Sequence, residues 1–425
     1  MVYVITFLLL LFIGIPIAFV IGITPFIKML ISGDIPHTIF PQQMFSGATI
    51  YMLFAIPFFI FAGNLMNTGG LTRRIVRFAQ IFVGTVRGGL AMVNVIASMF
   101  FGGITGSANA DTAALGSILI PAMKREGYDP EFSAAITVTS STMGPIIPPS
   151  ISMVLYAIMA QESVGTLFIS GAIPGILIGV SLLIITYFIA QRRKYPKYER
   201  RLTFGEAVTA LKDGILALLM PIIILGGILG GVFTPTEAAG VAVVYALIIG
   251  MFVYRELTLK KLLNVAFESA KLSAMLLLIV VMAKVLSWVF AAEQIPTSMA
   301  NFMLALTNNK YLVLLLLNLI MLIMGMVLEP TSNLIILTPI FTEIAAQFGI
   351  DPIHLGVIMV LNLTIGLITP PVGTCLFTAC GIAKISLERL ILHGLMPLLL
   401  TVIGILFLVT YVPWFSQFLP SLFTG

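Results

Sequence analysis

Two carboxylates stand in long apolar stretches: Asp111, at the end of Gly103-Ile-Thr-Gly-Ser-Ala-Asn-Ala-Asp111, and Glu329, just before Pro330-Thr-Ser-Asn333. An acidic side chain in the middle of a bilayer costs about 2.5 to 3.5 kcal/mol on insertion scales and usually marks an ion or substrate path. Each can bind a cation, accept a proton, or hydrogen-bond the turn it sits in. Near them lie two copies of one pattern, Thr142-x-Gly144-x-x-x-Pro148-Pro149 and Thr364-x-Gly366-x-x-x-Pro370-Pro371. Proline lacks an amide proton and clashes with the preceding turn, so a helix breaks there and leaves carbonyls unpaired. Hydroxyl, amide and main-chain oxygens can replace the hydration shell of a small hard cation such as Na+, and glycine lets backbone approach it closely. Helix N-termini that follow a break favour an anion.

The elements that must carry these residues are membrane helices. Apolar residues make up 59% of the 425, charged residues only 9%, and the mean hydropathy is +1.12. A soluble domain carries about 25% charged residues, so a water-soluble enzyme is excluded. The apolar runs are continuous and long enough for helical bilayer crossings; the alternation of a membrane barrel is absent. The net charge of +5 serves topology rather than nucleic acid. Arg192, Arg193, Lys194, Lys197, Arg200 and Arg201 form one short basic loop between apolar runs, cytoplasmic under the positive-inside rule. The N-terminal run 1–31 lacks a basic start and a small-residue cleavage site, so it reads as a retained helix.

Asp129-Pro130 and Pro148-Pro149 recur 222 residues later as Asp351-Pro352 and Pro370-Pro371, and the same offset relates Gly103 to Gly325. The chain therefore reads as two duplicated units. The first, 1–190, contains helices 2–31 and 42–66, an Arg-bearing arm 71–86, a hairpin 89–124, a broken helix 131–160 and a helix 165–190. About 15 apolar residues on each side of the polar tip are too few to cross a core of about 30 Å at 1.5 Å per residue, so the hairpin is re-entrant. Residues 191–236 hold the basic loop and an additional helix, 214–231. The second unit, 237–425, has helices 237–254 and 272–292, an arm 296–306, a hairpin 312–349 with its tip at 329–333, a broken helix 353–381 and a last helix. Each unit has four full crossings, so the intervening helix inverts the second copy. The N-terminus is then cytoplasmic and the C-terminus periplasmic, with Lys28 and Lys310 outside and Lys284 within a helix.

The expected fold is thus an all-α polytopic membrane protein, an inverted repeat with two re-entrant hairpins and two broken helices. Secondary transporters use that arrangement for a substrate and ion site at the midplane. The substrate candidates are Ser107, Asn109, Asp111, Ser140, Ser141, Asn333 and Asn362. The cation candidates are Gly103, Ser107, Thr142, Gly144, Pro148, Gly325, Glu329, Thr364, Gly366 and Pro370, with Pro149 and Pro371 completing the breaks. Lys284 reads as a snorkelling or paired residue, Glu237 as part of a helix cap. Cys375 and Cys380 read as packing residues; His37, His354 and His393 are scattered, against a histidine metal site. No nucleotide loop, nucleophile elbow or zinc-protease motif occurs, which argues against a pump and an enzyme.

The Gly103–Asp111 stretch, Gly144-Pro-Ile-Ile-Pro-Pro-Ser150, Thr234-Pro-Thr-Glu-Ala-Ala239 and Gly366-Leu-Ile-Thr-Pro-Pro371 resemble those of the large membrane subunit of tripartite ATP-independent periplasmic (TRAP) transporters. The resemblance covers essentially the whole chain. It implies a sodium-driven importer of organic acids in the bacterial inner membrane, working with a four-helix small membrane subunit and a periplasmic binding protein. It also implies an elevator mechanism, in which hairpins and broken helices move against a scaffold of outer helices and arms. Sialic acid and C4-dicarboxylates are typical cargo of such families, sialic acid being the reading preferred here. A proton-coupled carrier using Asp111 or Glu329 stays open as an alternative, as does an ion channel.

Overall fold

The computed structural model describes residues 2–33, 35–83, 86–197 and 204–423, so Arg200 and Arg201 of the basic loop lie outside the described residues. The expected first helix is two: α1 (Val2–Phe12) and α2 (Ile17–Ser32). Gly14 at φ +86° and Pro16 end one and start the other, because neither fits a continuing helix. The expected second helix is also divided, into α3 (Ile39–Ala48) and α4 (Ala55–Thr68), with a short 3-10 turn at Tyr51–Phe54 between them. The arm follows as α5 (Leu71–Val83), its apolar face buried and Arg73 and Arg77 exposed.

Next come the hairpin helices α6 (Gly89–Thr105) and α7 (Ala108–Arg125), the two parts of the broken helix, α8 (Pro130–Ser141) and α9 (Ile151–Ala160), and the long α10 (Val164–Arg192). The linking helix α11 (Phe204–Leu229) begins earlier than its apolar core indicates. A capping box starts α12 (Pro235–Ile248): Thr234 Oγ1 accepts from the Glu237 N–H and the Glu237 side chain accepts from the Thr234 N–H. The expected cap role of Glu237 is therefore met.

The second half continues through α13 (Leu259–Ala292), α14 (Ile295–Leu306), the hairpin α15 (Lys310–Val327) and α16 (Pro330–Gln347), then α17 (Pro352–Gly366), α18 (Thr374–Ala383), α19 (Leu387–Leu390), α20 (Met396–Tyr411) and α21 (Trp414–Phe423). A π-helical turn at Ile391–Leu395 joins α19 to α20. The 222-residue offset survives at the level of elements. It carries both ends of α7 onto both ends of α16, and the cis Pro148–Pro149 bond onto the cis Pro370–Pro371 bond.

Among the described residues, seven helices are long and apolar enough to cross a membrane by length and composition. One of them is α15, at 18 residues longer than the sequence argument for a hairpin assumes. The chain nevertheless reverses after it, because Glu329 and Pro330 stop one helix and start the next, and Asn333 donates from its amide to Met324 O (3.1 Å) and Leu328 O (3.0 Å), closing the turn.

Two groups of helices pack within themselves. In one, α2, α3 and α4 surround α13, while α12 lies on α4 and α11. In the other the hairpins and broken helices interlock crosswise: α7 packs on α8 but also on α18, and α16 packs on α17 but also on α9. Each hairpin meets its own broken helix through glycine. A Cβ at Gly102 would lie 2.9 Å from Gly144 Cα, and one at Gly366 would lie 2.6 Å from Gly325 Cα. Polar ties fasten the ends. Arg74 pairs with Glu256 at 2.7 Å and lies over the Tyr254 ring, holding the arm to the segment between α12 and α13. Arg193 pairs with Asp129 at 2.9 Å and donates to His393 O at 2.7 Å, joining α10, α8 and the π turn.

Gly366→Ala should lower the melting temperature of the detergent-purified protein, because overpacking of a close backbone contact costs about 1 to 3 kcal/mol. Gly381→Ala, where a Cβ meets open space, should not lower it. Equal melting temperatures for both variants would show that the second hairpin does not depend on this contact.

Candidate functional site

The first hairpin turns at Gly106, whose φ of +61° ends α6 in the left-handed region. Ser107 is extended and its Oγ accepts weakly from the Ala110 N–H, at 3.4 Å, so α7 begins under a side-chain cap. Asp111 then falls in the first turn of α7. It is fully buried, and neither carboxylate oxygen has a hydrogen-bond partner among the described residues. Hydroxyls and amides line the seam around it: Ser98 donates to Ser140 Oγ (2.9 Å), Thr112 to Ser141 Oγ (2.8 Å), and Asn94 to Thr137 Oγ1 (2.6 Å).

At the first break the helix ends at Ser141 and the chain runs through tight turns, with the Ile147 N–H donating to Met143 O at 2.8 Å. Ser150 restarts it: the hydroxyl donates to Pro145 O while Oγ accepts from the Met153 N–H at 3.2 Å. The second break runs from Leu367 to Gly373, where φ is +59° and the N–H of Cys375 donates back to Leu367 O at 3.2 Å. The N-termini of α7, α9, α16 and α18 all follow such a tip or break. Each carries unpaired N–H groups and partial positive charge.

The four regions share one cavity of about 260 Å³. Thr105 to Ala110 line it from the first tip, Pro145, Ile151 and Ser152 from the first break, Glu329 to Thr331 from the second tip, and Leu367 from the second break. The opposite wall is apolar except for Asn64: Ile17 from α2, Ile60 and Gly63 from α4, and Leu272, Met275, Leu276 and Ile279 from α13. Of the residues singled out from sequence, Ser107, Asn109 and Glu329 reach the cavity wall.

The others take places behind it. Asp111, Ser140, Ser141, Thr142 and Thr364 are fully buried; the Thr142 hydroxyl donates to Thr139 O and that of Thr364 to Val360 O, each at 2.7 Å. Gly103, Gly144, Pro148, Gly325 and Gly366 sit at the contacts of tips with breaks, and Pro370 at their rim. Asn333 closes the second tip, as described above. Asn362 lies farther off, donating to Asn318 O (2.9 Å) and Asn318 Oδ1 (2.7 Å) on α15. Lys284 packs its stem over Gly47, and Cys375 and Cys380 are buried free thiols.

Sequence reasoning missed Asn64, Ser152, Thr331 and Thr374. Three of them had a signal: the 222-residue offset carries Asn109 onto Thr331 and Ser152 onto Thr374. Asn64, an amide in the apolar α4, donates to Ser269 Oγ at 2.9 Å.

The residues present fit a small hard cation. Backbone oxygens crowd the glycines: a Cβ at Gly144 would lie 3.2 Å from Ser141 O and 3.4 Å from Ser107 O, and one at Gly103 would lie 2.9 Å from Pro148 O. On the second side Gly366 faces Gly325 O at 2.7 Å and Gly373 faces Leu367 O at 2.9 Å by the same measure. Neutral oxygens at this density suit an alkali cation. No group of three His, Cys, Asp or Glu side chains gathers among the described residues.

Comparison with known proteins agrees with this architecture. The family described as tripartite ATP-independent periplasmic transporter, DctM component, matches residues 4–415. The chain is 39% identical over 419 residues to the sialic acid TRAP transporter large permease protein SiaM of Vibrio cholerae, covering 98% of this chain and 97% of that one. It is 44% identical over 379 residues to the C4-dicarboxylate TRAP transporter large permease protein DctM of Pseudomonas aeruginosa, covering 89% and 88%. YgiK of Salmonella typhimurium is 41% identical over 421 residues, covering 98% and 96%. Two solved structures share the fold. The Alcanivorax borkumensis YdaH transporter superimposes with a TM-score of 0.64 at 16% identity, covering 88% of this chain and 86% of that one. Neisseria gonorrhoeae MtrF does so with 0.59 at 15%, covering 91% and 83%. A match over nearly the full chain, together with paired hairpins and broken helices around one cavity, makes this protein a multi-pass membrane transporter subunit of the TRAP large-permease family, not an enzyme.

Proposed function

We propose that the chain is the transporting subunit of a sodium-coupled symporter that imports a small organic acid, sialic acid or a C4-dicarboxylate, across a bacterial inner membrane. The cargo would be delivered by a periplasmic binding protein, and a separate four-helix subunit would complete the membrane part. The observation that carries this reading is the single cavity bounded by both hairpin tips and both breaks. The N-termini of α7, α9 and α16 on its wall favour an acid, and the glycine-lined carbonyl clusters beside it suit Na+. The names of the Vibrio cholerae and Pseudomonas aeruginosa relatives support the cargo class.

In this reading residues 1–190 and 237–425 are the two inverted units, linked by 191–236, with the N-terminus cytoplasmic and the C-terminus periplasmic. Ser107, Gly144 and Thr142 on one side, and Gly325, Gly366 and Thr364 on the other, would hold the cation and so order the unwound segments. Neutralising charge beside the cavity lowers the electrostatic cost of binding an acid there. The interlocked hairpins and broken helices would move together past the apolar wall of α2, α4 and α13, which offers few polar contacts to break. That is an elevator.

One observation favours a second reading. Asp111 is fully buried in the first turn of α7, and a carboxyl group at membrane depth usually marks an ion or proton path, so proton coupling through Asp111 is the alternative. Reconstitution with the small subunit and binding protein separates the two. Uptake of labelled sialic acid or succinate should require a sodium gradient; uptake driven by a pH gradient without sodium would establish the alternative.

Thr142→Ala and Thr364→Ala should each raise the sodium concentration for half-maximal uptake by about fivefold, the size of one lost polar contact of about 1 kcal/mol, with Thr→Ser at either position restoring it. Unchanged sodium activation in both alanine variants would remove these hydroxyls from the site. Glu329→Gln should cut uptake by about tenfold, as expected for a charge in a membrane pathway, with the melting temperature held, since Glu329 opens onto the cavity rather than packing. Full uptake by that variant would leave Glu329 only a helix-capping position.

A further inference from the structure

The polar rim of the cavity is held by both halves of the chain. Asn109, at the start of α7, accepts two hydrogen bonds at its Oδ1, one from Thr374 Oγ1 at 3.2 Å and one from Cys375 Sγ at 3.1 Å. Both donors sit in the first turn of α18, 265 and 266 residues away in sequence. Cys375 is fully buried beneath this contact, while Asn109 lines the cavity.

The chemistry of the partners orients the amide. An asparagine side chain has an acceptor end and a donor end, and its neighbours decide which way it turns. Both neighbours can donate, the hydroxyl more strongly than the thiol, and Oδ1 lies 3.2 Å from Thr374 Oγ1 and 3.1 Å from Cys375 Sγ. With Oδ1 engaged by two donors, Nδ2 is the end left to the cavity, and it has no partner among the described residues. It stands one residue from the N-terminus of α7, whose partial positive charge reinforces it. Glu329, an acceptor, lines the same cavity from the other tip. Asn109 therefore distinguishes one end of the cavity from the other. The equivalent positions of the other half, Thr331 and Ser152, also line the cavity but carry hydroxyls, so the oriented amide belongs to the first tip alone.

We infer that Thr374 and Cys375 are positioning residues that hold the Asn109 amide with its N–H groups directed into the cavity, so that this end of the site selects an organic carboxylate. The inference rests on the organic-acid reading above. It also gives the crosswise packing of α7 on α18 a role beyond stability, because the donor that meets the acid is set by the opposite half of the chain.

The test uses the full-length protein purified with its small subunit, measuring the Kd for sialic acid and for succinate beside sodium-driven uptake with the binding protein. Thr374→Val should raise the Kd of the transported acid by about fivefold, the weight of one neutral hydrogen bond, while the half-saturating sodium concentration stays at its original value. Thr374→Ser should restore the Kd, and so should Cys375→Ser beside a weakened Cys375→Ala. Alkylation of Cys375 by N-ethylmaleimide, followed in a Cys380→Ser background, reports whether the seam stays shut, and it should be as slow with Thr374→Val as without. An unchanged Kd in Thr374→Val, equal loss in the valine and serine variants, or rapid alkylation alongside the loss would each overturn the inference. The first of these, with uptake intact in the parent protein, leaves the transport reading standing. Failure of the parent protein to bind or carry either acid overturns both.

Discussion

Everything in this fold answers to one constraint: a backbone interrupted inside lipid must find its hydrogen-bond partners within the protein. Residues 142–150 and 367–373 are such interruptions. Neither could face hydrocarbon, so each is covered by the tip of a hairpin that is itself unable to face hydrocarbon. Gly102 on Gly144 and Gly325 on Gly366 are where the two backbones touch, and side chains at these contacts would hold the strands of chain apart. The same closeness that satisfies the backbone also concentrates carbonyl oxygens. The proposed cation site draws on that concentration of oxygens.

A second consequence follows from the crosswise packing. Because α7 lies on α18 and α16 lies on α9, neither half encloses a cavity without the other. The site is assembled from both tips and both breaks, with the N-termini of α7, α9 and α16 on its wall, and its polar lining side chains other than Asn64 belong to them. The wall across from it is built from α2, α4 and α13 with Asn64 as its one polar lining side chain. That division, polar groups on one side and an apolar surface on the other, is what the proposed elevator movement rests on. At the ends of the helices the ties are ionic instead, Arg74 with Glu256 and Arg193 with Asp129, where both partners keep access to water and desolvation costs less.

Local chemistry made much of this legible. Proline pairs announced the breaks, Glu237 in Thr234-Pro-Thr-Glu237 announced a helix cap, and a common offset announced the duplication. The errors were local too. Gly14 and Pro16 divide the first helix, and the turn at Tyr51–Phe54 divides the second, though both apolar runs are long enough to read as continuous; hydropathy is blind to such interruptions. At α15 length and composition would allow a crossing, but the chain turns at Glu329, within the expected tip 329–333.

The sequence by itself determined that the chain lives in a membrane, that it holds two related units, and that each unit breaks its helix at a Pro-Pro step, because hydropathy, repetition and the missing proline N–H are properties of residues taken locally. Only the tertiary structure decided which polar groups meet the cavity. Ser107, Asn109 and Glu329 reach it, whereas Asp111 and Thr142 lie behind it and Asn362 pairs with Asn318. Thr374 and Cys375 reach Asn109 from more than half the chain away. Whether a side chain faces a cavity depends on the angle at which one helix crosses another, and that angle is set by packing between segments distant in sequence.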